Sequence, residues 1–73
     1  MGSRLSKTSI ENLKVADKVV IEEKIGNFCT VRVELNGNSA YLNGGESIMH
    51  YPTVQKARRA VKRIRPDLEP TTI

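Results

Sequence analysis

One cysteine and one histidine are the only thiol and the only imidazole in this 73-residue chain, which also has just three aromatic residues. Cys29 has no second cysteine to pair with, so an internal disulfide is excluded and a reducing compartment is expected. Nucleophilic catalysis would need Cys29 beside His50 with a third group orienting the imidazole. Cys29 instead alternates in phase with Val31 and Val33, the pattern of a small buried apolar residue. One Cys and one His among scattered carboxylates show no metal-ligand spacing. Asn43-Gly44-Gly45 lacks the Lys-Ser/Thr that a phosphate loop requires and reads as a turn. These absences argue against an enzyme, and no metal or cofactor is expected. No apolar run approaches the roughly 18–20 residues of a membrane span, and the N-terminus lacks the apolar core of a signal peptide, so a cytoplasmic protein without membrane association is expected.

Acid is missing where base is densest. From Thr53 to Arg65, closed by Pro66, the chain carries Lys56, Arg58, Arg59, Lys62, Arg63 and Arg65 and no Asp or Glu. Val54, Ala57, Val61 and Ile64, with Ala60 beside them, follow the spacing of one helix face at about 100° per residue. Thr53 suits the N-cap because its hydroxyl can accept from a first-turn N–H, and Pro66 disfavours helix at Arg65. The six cations then form two rows, Lys56, Arg59 and Arg63 on one ridge and Arg58, Lys62 and Arg65 on the next. Helix stability alone does not explain them, since Lys56 sits at the positive end of the dipole with no acid opposite.

The imbalance is local. Acids and bases cancel over residues 1–50, so the whole net charge of +4 resides in residues 51–73. Clustered Lys and Arg are the footprint of a polyanionic partner, because each phosphate contact releases condensed counterions. The six helix cations are therefore the candidate nucleic-acid-binding residues, for DNA or RNA. An acidic protein surface is the alternative partner, and a merely solvated basic face is the plain reading of the same residues.

The rest of the chain reads as one small α+β domain over 8–66, near the size where a single core is marginal, with 1–7 and 67–73 as flexible tails. Thr8 to Glu11 fits a capping box opening a short helix over about residues 9–15, with Ile10, Leu13 and Ala16 inward. Lys18–Ile25 and Phe28–Leu35 are β-branched runs joined at Gly26-Asn27. A three-residue loop, Gly26-Asn27-Phe28, would oppose Ile25 to Cys29, Ile21 to Val33, Val19 to Leu35 and Glu22 to Arg32. Asn36-Gly37 predicts a type I′ turn that sets Val33 against Ala40, Arg32 against Tyr41 and Val31 against Leu42. Asn43-Gly44-Gly45-Glu46 is a further turn, and Ser47–Tyr51 would add a short edge strand.

The expected fold is thus a three- to four-stranded antiparallel meander packed by the C-terminal helix, with the short N-terminal helix beside it and Leu68 folding back on the sheet. Its inner set is Val19, Ile21, Ile25, Cys29, Val31, Val33, Leu35, Ala40, Leu42, Val54, Ala57, Ala60, Val61 and Ile64. Arg32, Tyr41, Lys24 and Thr30 on the outer face could form a stacking platform for single strands, but Glu22 and Glu34 share that face, which is the mixture of an ordinary solvated surface.

A helix, three strands and a helix opening Thr53-x-x-x-Ala57-Arg58, with the strand cadence Phe28-Cys29-Thr30-Val31-Arg32-Val33-Glu34-Leu35-Asn36-Gly37, resembles the double-stranded-RNA-binding domain over about the last half of the chain. That family sets a Lys-Lys pair in the first turn of its last helix to clamp phosphate; here Val54 and Gln55 stand there. Tyr51, Thr53, Ala57 and Arg58 are also similar to small uncharacterised bacterial proteins built as a hairpin meander followed by an aromatic-x-Ser/Thr-x-x-x-Ala-Arg helix. No functional residue is carried over from either.

Overall fold

The computed structural model describes residues 5–45 and 47–73. Its elements run α1 (Lys7–Val15), β1 (Lys18–Lys24), β2 (Phe28–Leu35), β3 (Asn38–Tyr41), α2 (Val54–Ile64) and β4 (Thr71–Thr72), an α+β arrangement. One four-stranded sheet has the order β3-β2-β1-β4. Both helices pack on the face that carries Val19, Ile21, Val31 and Val33. Leu13, Ala16, Leu42, Tyr51, Ala57 and Val61 fill the layer between. No helix among the described residues is long and apolar enough to cross a membrane.

The sheet is mixed, which corrects the expected antiparallel meander. β1, β2 and β3 pair antiparallel, whereas β4 lies parallel to β1, with Thr71 and Thr72 beside Val20 and Ile21. The chain beyond Pro66, expected as a loose tail, is laid along β1: the Ile73 N–H donates to Ile21 O at 2.9 Å and the Glu23 N–H to Ile73 O at 3.0 Å. Leu68 packs on the core and Pro70 is buried. The physical reason is the otherwise unpaired edge of β1, which β-branched Thr71 and Thr72 suit. Ser47–Tyr51, expected to supply an edge strand, makes only the isolated bridges Asn43↔Ile48 and Cys29↔Tyr51. Its one buried residue is Tyr51, held by a reciprocal pair of bonds to the Cys29 backbone at 2.7 and 2.8 Å. Residues 1–4 of the expected N-terminal tail and Glu46 of the third turn lie outside the described residues.

The two hairpins answer differently to their turns. Asn36 and Gly37 both have positive φ, 52° and 82°, as a type I′ turn demands, and the pairs Val33↔Ala40 and Arg32↔Tyr41 follow as expected. In the first hairpin the three-residue loop is Ile25-Gly26-Asn27, closed by Lys24↔Phe28, so Ile21 faces Val31 and Val19 faces Val33. That register is two residues from the expected one. A shift of two preserves which face each side chain occupies, so the apolar alternation could not tell the registers apart. Gly26 and Asn27 decide it, since their positive φ values of 106° and 63° place both inside the loop and Phe28 at the start of β2. The consequence is local: Ile25, expected inside, is fully exposed, and Leu35 is only half-buried. Glu22 reaches Arg32 diagonally at 3.1 Å instead of directly opposite.

α1 begins earlier than the capping-box reading proposed, because the hydroxyl that caps it is that of Ser6, which accepts from the Ser9 N–H at 3.2 Å. Ser9 is itself needed elsewhere. Its buried Oγ accepts the Asn43 N–H at 2.8 Å and the Ser6 hydroxyl at 3.1 Å, while the Ser6 N–H donates to Asn43 O at 2.9 Å. The N-terminal turn of α1 is thereby pinned to the chain leaving β3. Ser9→Ala strands the Asn43 donor and should destabilise the fold by roughly 1–3 kcal/mol in denaturant unfolding, well beyond the effect of Thr8→Ala on the exposed side of the same turn.

A candidate anion-binding groove between the helices

The Thr53 hydroxyl accepts the Lys56 N–H at 3.1 Å and starts α2 where expected. Ala57 and Val61 are fully buried, with Val54, Ala60 and Ile64 packed at the margin, so the apolar stripe turns both cation rows away from the sheet. The structure then separates the rows. Arg58 and Lys62 both pair with Glu69, Lys62 at 2.8 Å, and Lys62 also reaches Pro66 O at 3.4 Å. Arg65 binds Asp67 through two nitrogens at 2.8 and 3.1 Å, and its Nη1 donates to Leu13 O, Lys14 O and Ala16 O at 3.1, 2.8 and 3.1 Å. It thus adds a donor to the carbonyls at the C-terminus of α1, of which Leu13 O also accepts the Ala16 N–H. The second row is engaged by the protein's own acceptors.

Lys56, Arg59 and Arg63 form no ion pair among the described residues. They line an open groove of about 920 Å³ between α1 and α2. Lys7, Ile10, Glu11 and Lys14 supply the facing wall, at the spacing of a single helix face. Leu5, Met49, Tyr51, Ala60 and Ile64 also line it, so among the described residues five cations and one carboxylate stand around a largely aliphatic floor. The α1 wall was not recognised from sequence. Its signal, Lys7 and Lys14 seven residues apart, lies across a helix start that the capping box at Thr8 had placed too late.

The outer sheet face is closed on itself. Glu22 accepts from the Tyr41 hydroxyl at 2.8 Å and from Arg32 Nε at 3.1 Å, and pairs with Lys24 at 3.1 Å; Arg32 also holds Glu34 at 2.9 Å. The Tyr41 hydroxyl, with Lys24 and Arg32, holds the Glu22 carboxyl below the usual carboxylate range. Phe28, expected in the turn, instead stacks on His50 with ring centroids 4.3 Å apart. Thr30 is buried on this face with its hydroxyl unpartnered. A smaller recess of about 290 Å³ at the start of α2 includes Cys29, whose thiol is pushed up by burial and by nearby Glu23, the opposite of an activated nucleophile. Among the described residues no group of three or more His, Cys, Asp or Glu side chains could hold a metal ion.

Comparison with known proteins finds no matching family model, no matching curated protein and no matching solved structure.

Two outcomes follow from these environments. Folded protein should label at Cys29 with a thiol reagent far more slowly than denatured protein, and labelling at the denatured rate would contradict its burial. Glu22 has a folded pKa below its unfolded value of about 4.3, so the stability it contributes is present above that pH and lost as pH falls through the lowered value. The advantage of wild type over Glu22→Gln in thermal melts should therefore hold near neutrality and vanish in acid.

Proposed function

We propose that this chain is a small non-enzymatic binding module that holds a polyanionic partner in the groove between α1 and α2. The observation that carries the reading is the division of the basic rows: Arg58, Lys62 and Arg65 are paired internally, and the cations of the other row converge on one groove. Lys56, Arg59 and Arg63 contribute from α2, Lys7 and Lys14 from α1. Arg58, Lys62 and Arg65, candidates on sequence, enter this reading as residues that secure the C-terminal segment and α1. Nucleic acid, DNA or RNA, is the partner whose phosphates such rows neutralise most directly. An acidic protein surface is the second, favoured by the aliphatic floor.

The test is charge reversal read against folding. Arg59→Glu with Arg63→Glu should abolish binding to duplex DNA and to polyglutamate while leaving the thermal transition in place, because both side chains point away from Ala57 and Val61. If duplex DNA is held by about three phosphate contacts, the slope of log K against log salt should be near −2.7, at roughly −0.9 per contact. Undiminished binding of both polyanions by the folded double variant would remove the groove from consideration.

A further inference from the structure

Charge accounts for the rim of the groove and leaves its floor unexplained. Leu5, Ile10, Met49, Ala60 and Ile64 are half-buried aliphatic residues lying between two cationic walls. A phosphate backbone has no use for such a floor, and base stacking needs aromatic faces, of which the groove has only the buried Tyr51. A second copy of this chain would set like charge against like charge. An acidic amphipathic helix uses both halves of the lining, burying its apolar stripe on the aliphatic residues and aiming its flanking carboxylates at the two walls.

Resting on the polyanion reading above, we propose that the groove is a docking site for a short acidic amphipathic helix of a partner protein. Dimensions agree. The nine residues of α1 and eleven of α2 make walls about 14 and 16 Å long at about 1.5 Å per residue, the length of roughly three helical turns. Anchors at i, i+3 or i+4, and i+7 span about 10 Å, so one such ligand fills the floor without overhanging it. Glutamates flanking the anchors meet Lys7 and Lys14 on one side and Lys56, Arg59 and Arg63 on the other. Among the described residues Glu11 is the only carboxylate of the lining; it disfavours an acidic residue opposite it and so selects the register in which the ligand lies.

The experiment compares three probes on the full chain by fluorescence anisotropy. They are a synthetic helical peptide of about 12 residues with leucines at i, i+3, i+4 and i+7 among glutamates, a scrambled peptide of the same composition, and duplex DNA. The patterned peptide should bind about tenfold or more tightly than the scramble, since only it can bury its leucines together. It should also shift the methyl resonances of Ile10, Met49 and Ile64. Ala60→Arg, which fills the floor while adding a cation, should cost the patterned peptide about tenfold and leave DNA unweakened. Ile10→Asn repeats the test from α1 should Ala60→Arg disturb the fold. Equal binding of patterned and scrambled peptides, or a patterned peptide indifferent to both floor variants, overturns the helix proposal. The polyanion reading then still stands if Arg59→Glu with Arg63→Glu abolishes what binding there is. Failure of every probe at low salt overturns both.

Discussion

A groove exists only because α1 and α2 lie side by side on the same face of the sheet, and Arg65 is what fixes that relation. Its backbone N–H closes α2 on Val61 O at 2.8 Å, its guanidinium reaches three carbonyls at the end of α1, and it grips Asp67 at the start of the C-terminal segment. The positive group sits where the partial negative charge of α1 collects. Apolar packing alone would not specify so much. The residues buried on α1 are Ser9 and Leu13, and those on α2 are Ala57 and Val61; hydrophobic burial of these side chains is non-directional. Directional polar pins, Ser9 on Asn43 at one end of α1 and Arg65 at the other, orient the helix.

The internal partners of α2 also divide its six cations into two sets. Exposed ion pairs contribute only about 0–1 kcal/mol each, so the contacts of Glu69 with Arg58 and Lys62 matter less for stability than for where they leave the charge. They satisfy one side of α2 and leave the other side bare. Lys56 sharpens the point. It occupies the first turn of α2, which has no acid, and so opposes the helix dipole. Lys56 thus stands against the local preference of its own helix, on a ridge with Arg59 and Arg63 that lines one groove with Lys7 and Lys14.

Features set by neighbours in sequence were legible, and those set by distant partners were not. The start of α2 at Thr53, its buried stripe and the β2–β3 register each follow from a few adjacent residues. Asn36-Gly37 admits one tight turn, whereas Gly26-Asn27 admits loops beginning at either Ile25 or Gly26, and the alternation of Val19, Ile21, Val31 and Val33 is blind to that choice. Two residues of β4 give no periodicity at all, and their strand status comes from the β1 edge. The basic ridge was likewise legible as a helix wheel. Its partition was not, because Glu69 is eleven residues from Arg58, and Leu13 is 52 from Arg65. Local pattern located the cations, and tertiary contacts decided which of them remain available.

On the reading proposed above, the groove also links binding to the seating of α1. Lys7 and Lys14 share the lining with Lys56, Arg59 and Arg63, so an empty groove sets like charges on both of its walls, where salt screens their repulsion. That repulsion acts on two helices that each bury only two residues, the kind of element that opens locally at low cost. An anion between the walls converts the repulsion into two attractions and stabilises the seated state by RT ln(1 + [L]/Kd), while any population with α1 displaced lowers the apparent affinity in proportion. Salt therefore acts in opposite directions on the two equilibria. Screening relaxes the strain between the walls of the free protein and helps α1 to seat, yet it weakens every contact to the ligand. A partner that also buries apolar surface on Ile10, Ala60 and Ile64 escapes part of that opposition, because the apolar share of its affinity is not screened.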